Sequence, residues 1–159
     1  MINKKICYLI FIICAVFCFA TTARAQVSSL KPSQADIEPW TAKQLLEPSA
    51  LAAQLKAGSA HGMILNIGKV EDIEGAEHIG PVSQKEDLKK LTKKVSALSR
   101  DTELIIYCGC CPFAKCPNIR PAFWELKRLG FTNIKVLNLA TNLQTDWTSK
   151  GYPLAGKKE

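Results

Sequence analysis

The chain has 159 residues, of which 47% are hydrophobic and 22% charged, and a net charge of +7. That is enough for one globular domain with its own hydrophobic core, and neither an internal repeat nor a low-complexity tract interrupts it. The basic excess gives little support to nucleic-acid binding, because much of the lysine of the globular part gathers in one helical stretch with no interleaved aromatics.

The chain begins MINKK, continues ICYLIFIICAVFCFA and then TTARA. A basic start, an apolar run of 15 residues from Ile6 to Ala20 and the triplet Ala23-Arg24-Ala25 read as a secretory signal peptide over residues 1–25. The run is shorter than the roughly 18–20 residues a membrane-spanning helix needs, and no second long apolar run follows. The expectation is therefore a soluble periplasmic or secreted protein, a monomer, touching a membrane only through an uncleaved signal. Cys14 and Cys18 raise lipid attachment, but Phe17 precedes Cys18 where a small residue is wanted.

Residues 26–39 read as a polar tether and residues 40–155 as the domain. TAKQLLEPSALAAQLKAG predicts one or two short helices broken at Pro48, with Ser49 as N-cap and Gly58 as the stop. GMILNIG predicts a buried strand and KVEDIEGAEHIGPV a loop. SQKEDLKKLTKKVSALSRD predicts the clearest helix. Ser83 and Glu86 stand at capping-box spacing, and Leu88, Leu91, Val95 and Leu98 recur on one face. Lys85, Lys89, Lys90, Lys93 and Lys94 fall mostly on the other faces and read as a solvated surface.

TELIIYC predicts a second strand, apolar without interruption as when both faces of a sheet are covered. RPAFWELKRLG predicts a helix with Pro121 in its first turn, Lys127 and Arg128 in its last and Gly130 at its end. FTNIKVLNLA predicts a third strand, and TNLQTDWTSKGYPL a closing loop with a helical turn that Asp146 could cap. Trp40, Trp124 and Trp147 read as core or rim packing residues. Strands alternating with helices imply an α/β fold with a mostly parallel sheet.

Cys7, Cys14 and Cys18 leave with the signal peptide, so the sulfur of the remaining chain is Cys108, Cys110, Cys111 and Cys116. Exported proteins use spread-out cysteines as disulfide staples. Cysteines clustered in one loop cannot staple distant parts of a fold, so this pattern points to chemistry or metal. In open parallel sheets, ligands and catalysis gather beyond the carboxyl ends of strands, which is where Cys108 falls. The N-terminus of the next helix would face back toward the loop, with free N–H groups and the positive dipole end favouring a thiolate. Lys115 and Arg120 flank Cys116 with positive charge and are candidate anion-binding residues. Asn118 is a candidate cap for the helix, with Pro117 fixing its approach.

These residues resemble the rhodanese-like domain. That family places its sulfur-carrying cysteine after an apolar strand ending Tyr-Cys, then a helix, a Gly-Phe turn, a strand and a tail with Trp and Gly-Tyr-Pro. The matching positions are Cys108, Gly130-Phe131, Val136-Leu137, Trp147 and Gly151-Tyr152-Pro153. Upstream, MILNIG resembles the family's second strand and GAEHIG its Gly-His-Ile-Pro-Gly-Ala segment, so the resemblance runs from about Trp40 to Pro153. It implies an α/β fold of about five mostly parallel strands flanked by helices. It also implies a persulfide on Cys108, taken from a small sulfur-containing anion and passed to a thiol acceptor, with no cofactor. The chain departs from the pattern in two places: Asn66-Ile67-Gly68 stands where the family usually has Asp-x-Arg, and the active loop is about twice the usual length.

The residues themselves leave other chemistries open. Cys108 and Cys111 form a C-x-x-C dithiol suited to disulfide exchange. The four thiolates form a donor set for Cu(I) or Zn(II). Cys111 and Cys116 form a local disulfide in a further alternative. His61 and His78 are the only histidines, and His78 reads as a structural residue of its loop.

Overall fold

The computed structural model describes residues 38–156; the signal-peptide reading and most of the tether lie outside them. Strands form where the apolar runs predict them, at β2 (Met63–Asn66), β4 (Leu104–Tyr107) and β5 (Ile134–Leu137). Two short strands complete the sheet, β1 (Leu45–Leu46) and β3 (Glu77–His78). The order is β1-β5-β4-β2-β3, every pair parallel, with the cysteine-bearing β4 in the centre.

Helices α1 (Pro48–Lys56), α2 (Lys85–Val95), α3 (Ile119–Arg128) and the single turn α4 (Leu143–Asp146) cover the sheet. Side chains alternate across a strand, so β4 feeds two cores. Leu104 and Ile106 pack with Leu91, Val95, Phe123 and Leu126 of α2 and α3. Ile105 and Tyr107 pack with Leu51 of α1, Leu143 of α4 and Trp147. Each fully buried aliphatic side chain contributes about 1.5–3 kcal/mol by leaving water. This two-sided burial explains the uninterrupted apolar run of β4. Cys108, one residue beyond the strand, falls on the α2/α3 side.

The structure corrects several local expectations. Leu45–Leu46 is an edge strand and not part of a helix, because Leu45 and Leu46 pair with Val136 and Leu137 of β5. A stretch of two residues carries too little periodicity to signal such pairing. For the same reason β3 lies inside the segment expected to be a loop. Helix α1 starts with Pro48 at its first position and Glu47 as N-cap, so Ser49 sits within it. The Ser83–Glu86 capping box is absent: Gln84 is the N-cap and makes no side-chain cap bond, while Glu86 pairs with Lys89 at 2.9 Å. Trp40 and Trp147 are buried as expected, but Trp124 is 55% exposed on the outer face of α3. Asp146 does serve a turn: its carboxylate accepts from the Thr141 and Asn142 N–H groups, with Asn142 capping α4. Among the described residues, no helix is long and apolar enough to cross a membrane.

Candidate active site

Register places the site. Asn66 of β2 pairs with Tyr107 on one side and His78 on the other, so the strand ends finish level. Cys108 leaves this edge and is only 1% exposed. Two glycines make room for it. A Cβ on Gly68 would collide with the Cys108 carbonyl oxygen and lie 2.9 Å from its sulfur. Gly109 has φ 73°, a conformation L-residues rarely adopt, and a Cβ there would lie 2.8 Å from Leu143 Cβ. The Gly109 carbonyl accepts the Leu143 N–H at 2.9 Å, and the Phe113 N–H donates to Leu139 at 3.0 Å, so the long loop is pinned to the segment after β5.

The turn at Gly109 folds the next thiol back onto Cys108. The Cys110 sulfur lies 3.2 Å from the Cys108 sulfur, and Cys111 follows at 3.5 Å from Cys110. The sulfurs of Cys108, Cys110 and Cys116 lie within 4.8 Å of one another, close enough for one soft ion to reach all three. Cys111 reaches this group through Cys110. All four are free thiols in the structure.

Asn118 occupies the N-cap position of α3 without capping it. Its side chain is used elsewhere: Nδ2 donates to the Cys108 sulfur at 3.2 Å, and Oδ1 accepts the Ser83 N–H at 2.9 Å. The first N–H groups of the helix, those of Asn118 and Ile119, bond to Cys116 and not to Cys108. Cys108 is nonetheless the favoured thiolate. Hydrogen bonding from Cys116 above all, then from Asn118 and Cys110, holds its pKa down to about 5 against burial, which pushes it up. Burial, and donation to Cys108 and Cys111, push Cys110 up to about 12. Donation to Cys108 and burial raise Cys116 further. One sulfur thus takes the negative charge and its neighbours keep their protons to stabilise it.

Arg120 is turned to the loop: its Nη1 donates to the Ala114 carbonyl at 2.7 Å, and its guanidinium lies 5.7 Å from the Trp40 ring. Lys115 is exposed in the 3-10 turn Phe113–Lys115. Among the described residues, the side-chain hydrogen bonds to Cys108 come from Asn118 and the neighbouring thiols, not from Lys115 or Arg120. Where the family pattern has Asp-x-Arg, Asn66 builds a hydrogen-bond network. Its Nδ2 donates to the Val70 carbonyl and Asp72 Oδ1, both at 2.8 Å, and its Oδ1 accepts the Gly68 N–H at 3.0 Å. His78 joins through Asp72 at 2.9 Å, a structural role. Tyr107 anchors the same loop, its hydroxyl accepting the Ile73 N–H at 2.9 Å.

A pocket of about 370 Å³ opens beside the thiols, lined by Lys69, Glu71, Gly109, Cys110, Asn142 and Thr148 among others. Sequence reasoning missed Lys69 and Asn142, which come from segments far apart in the chain. It also read Asn118 as a cap, because an Asn before a helix carries that signal whichever way its side chain turns.

No family model matches the sequence, and no curated protein matches it. Solved structures do match in fold. The rhodanese-like domain of an Anabaena sp. protein, determined in solution, superposes with a TM-score of 0.53 at 18% identity, covering 71% of this chain and 79% of that one. A Bacillus halodurans protein superposes with a TM-score of 0.52 at 18% identity, covering 70% and 75%. A Lactobacillus plantarum protein gives 0.52 at 16% identity, covering 72% and 89%. The fold is that of the rhodanese-like domain.

Proposed function

We propose that this chain is a sulfurtransferase or persulfide carrier acting outside the cytoplasm, with Cys108 taking sulfur from a small sulfur-containing anion and yielding it to a thiol acceptor. The observation that carries this reading is the position of the Cys108 sulfur, at the end of the central strand of a rhodanese-like fold with Asn118 and the Cys110 thiol at 3.2 Å, an arrangement that favours a thiolate. Lys69 at the pocket supplies positive charge for an anionic donor, with Lys115 and Arg120 as further cations of the loop region. The export part of the reading rests on residues 1–25.

The test is intact mass of the purified, reduced protein after incubation with thiosulfate or inorganic polysulfide. The expected result is a gain of one sulfur atom, removed by cyanide and absent in Cys108→Ser. Unchanged sulfur uptake by Cys108→Ser would sink the assignment.

A further inference from the structure

A persulfide on Cys108 would be built on a sulfur that is almost completely buried, whereas Cys110 is exposed and lines the pocket. The two sulfurs already lie 3.2 Å apart. This juxtaposition depends on Gly109 at φ 73°, since that turn carries Cys110 back over Cys108. Cys116 is also close to Cys108, but it is buried against the start of α3, where a disulfide would be shielded from any external reductant.

Resting on the sulfurtransfer reading, we propose that Cys110 is a resolving thiol that converts the Cys108 persulfide into a Cys108–Cys110 disulfide and releases the transferred sulfur as sulfide. The Cys110 sulfur attacks the inner sulfur of the persulfide. A bond forms between the two Sγ atoms, and the bond from Cys108 Sγ to the outer sulfur breaks. The outer sulfur leaves with the electron pair and takes up the proton that Cys110 gives up. The outer sulfur is thereby reduced to hydrogen sulfide and the two cysteines are oxidised to a disulfide, with no further reactant.

The cycle closes through the pocket. Two equivalents of a small thiol reduce the disulfide: the first attacks the accessible Cys110 sulfur and expels Cys108, and the second frees Cys110, leaving the small thiol as its own disulfide. Attack at that sulfur is favoured because Cys108 departs as a thiolate stabilised by Asn118 and Cys116. The site thus acts as a sulfane-sulfur reductase that draws its electrons from thiols, and Cys111, bonded to Cys110 alone, is not required.

The experiment loads the reduced, desalted protein with limiting thiosulfate, whose sulfur transfer leaves sulfite and not sulfide, without any thiol, then follows sulfide release, protein mass and disulfide mapping. Wild type should release one sulfide per chain and stop, carrying a Cys108–Cys110 link, and glutathione should restart it. Cys110→Ser and Cys110→Ala should keep the extra sulfur on Cys108 and lose the sulfide release, while Cys111→Ser behaves as wild type. Equal persulfide retention by wild type and the Cys110 variants would overturn the proposal, as would a link from Cys108 to Cys111 or Cys116. Absence of sulfur uptake on Cys108 in every variant would instead defeat the parent sulfurtransfer reading, and this one with it. A glutathione redox titration without sulfur donor gives an independent readout, in which a Cys108–Cys110 disulfide should form reversibly.

Discussion

Cys108 is buried and yet favours its anionic form, because hydrogen-bond donors surround it where solvent does not. Ultraviolet titration of thiolate absorbance should show one ionisation near 5 and another pushed up to about 12 for Cys110. Asn118→Ala should raise the Cys108 value by about one to two units, the loss expected for a hydrogen bond to a charged group worth about 1.5–3 kcal/mol. An unchanged midpoint would remove Asn118 from the site. The neighbouring constraint is steric. Gly68→Ala places a methyl group against the Cys108 carbonyl and sulfur, and overpacking of this kind costs about 1–3 kcal/mol. Chemical denaturation should read that loss, accompanied by a change in the Cys108 titration.

At the scale of elements, short pieces of structure hold the pocket. Helix α4 is a single turn whose N-cap, Asn142, accepts the Thr145 N–H at 2.8 Å and lines the pocket. Asn142→Ala should cost about 1 kcal/mol by thermal denaturation, the usual value of a lost N-cap. Ser83→Ala should stay within about 0.5 kcal/mol of wild type, because the Ser83 side chain caps nothing and only its backbone N–H meets Asn118. A loss near 1 kcal/mol at Ser83 would restore the capping box that the sequence suggests. The long helices α2 and α3 and the three central strands were legible in the sequence because each repeats its period several times. The edge strands β1 and β3 were not, since two residues carry no period and their pairing depends on strands distant in the chain.

The whole molecule is stabilised by two cores sharing one sheet, and it inherits the ionisation of its buried thiol. Ile106→Ala, on the α2/α3 side of β4, should cost about 2–5 kcal/mol in urea denaturation. Because Cys108 titrates near 5 when folded, below the ordinary thiol value, the unfolded chain binds the extra proton between those two values and stability rises with pH across that window. The contribution is fully present above the ordinary thiol value and is lost as pH falls through about 5. The stability gap between wild type and Cys108→Ser should therefore narrow as pH is lowered toward 5, and a gap independent of pH would contradict a native thiolate.

By itself, the sequence determined the α/β class, the three central strands, both long helices and the placement of Cys108 at the mouth of the sheet. Periodicity and the strand–loop–helix order are local properties that survive reading one residue at a time. Only the tertiary structure decided how the thiols divide the work. A left-handed turn at Gly109 sets Cys110, and not Cys111, against Cys108, and the helix amides meet Cys116 while the Asn118 side chain meets Cys108. Such contacts depend on where a loop is pinned by segments distant in the chain, and spacing along the chain holds no record of that.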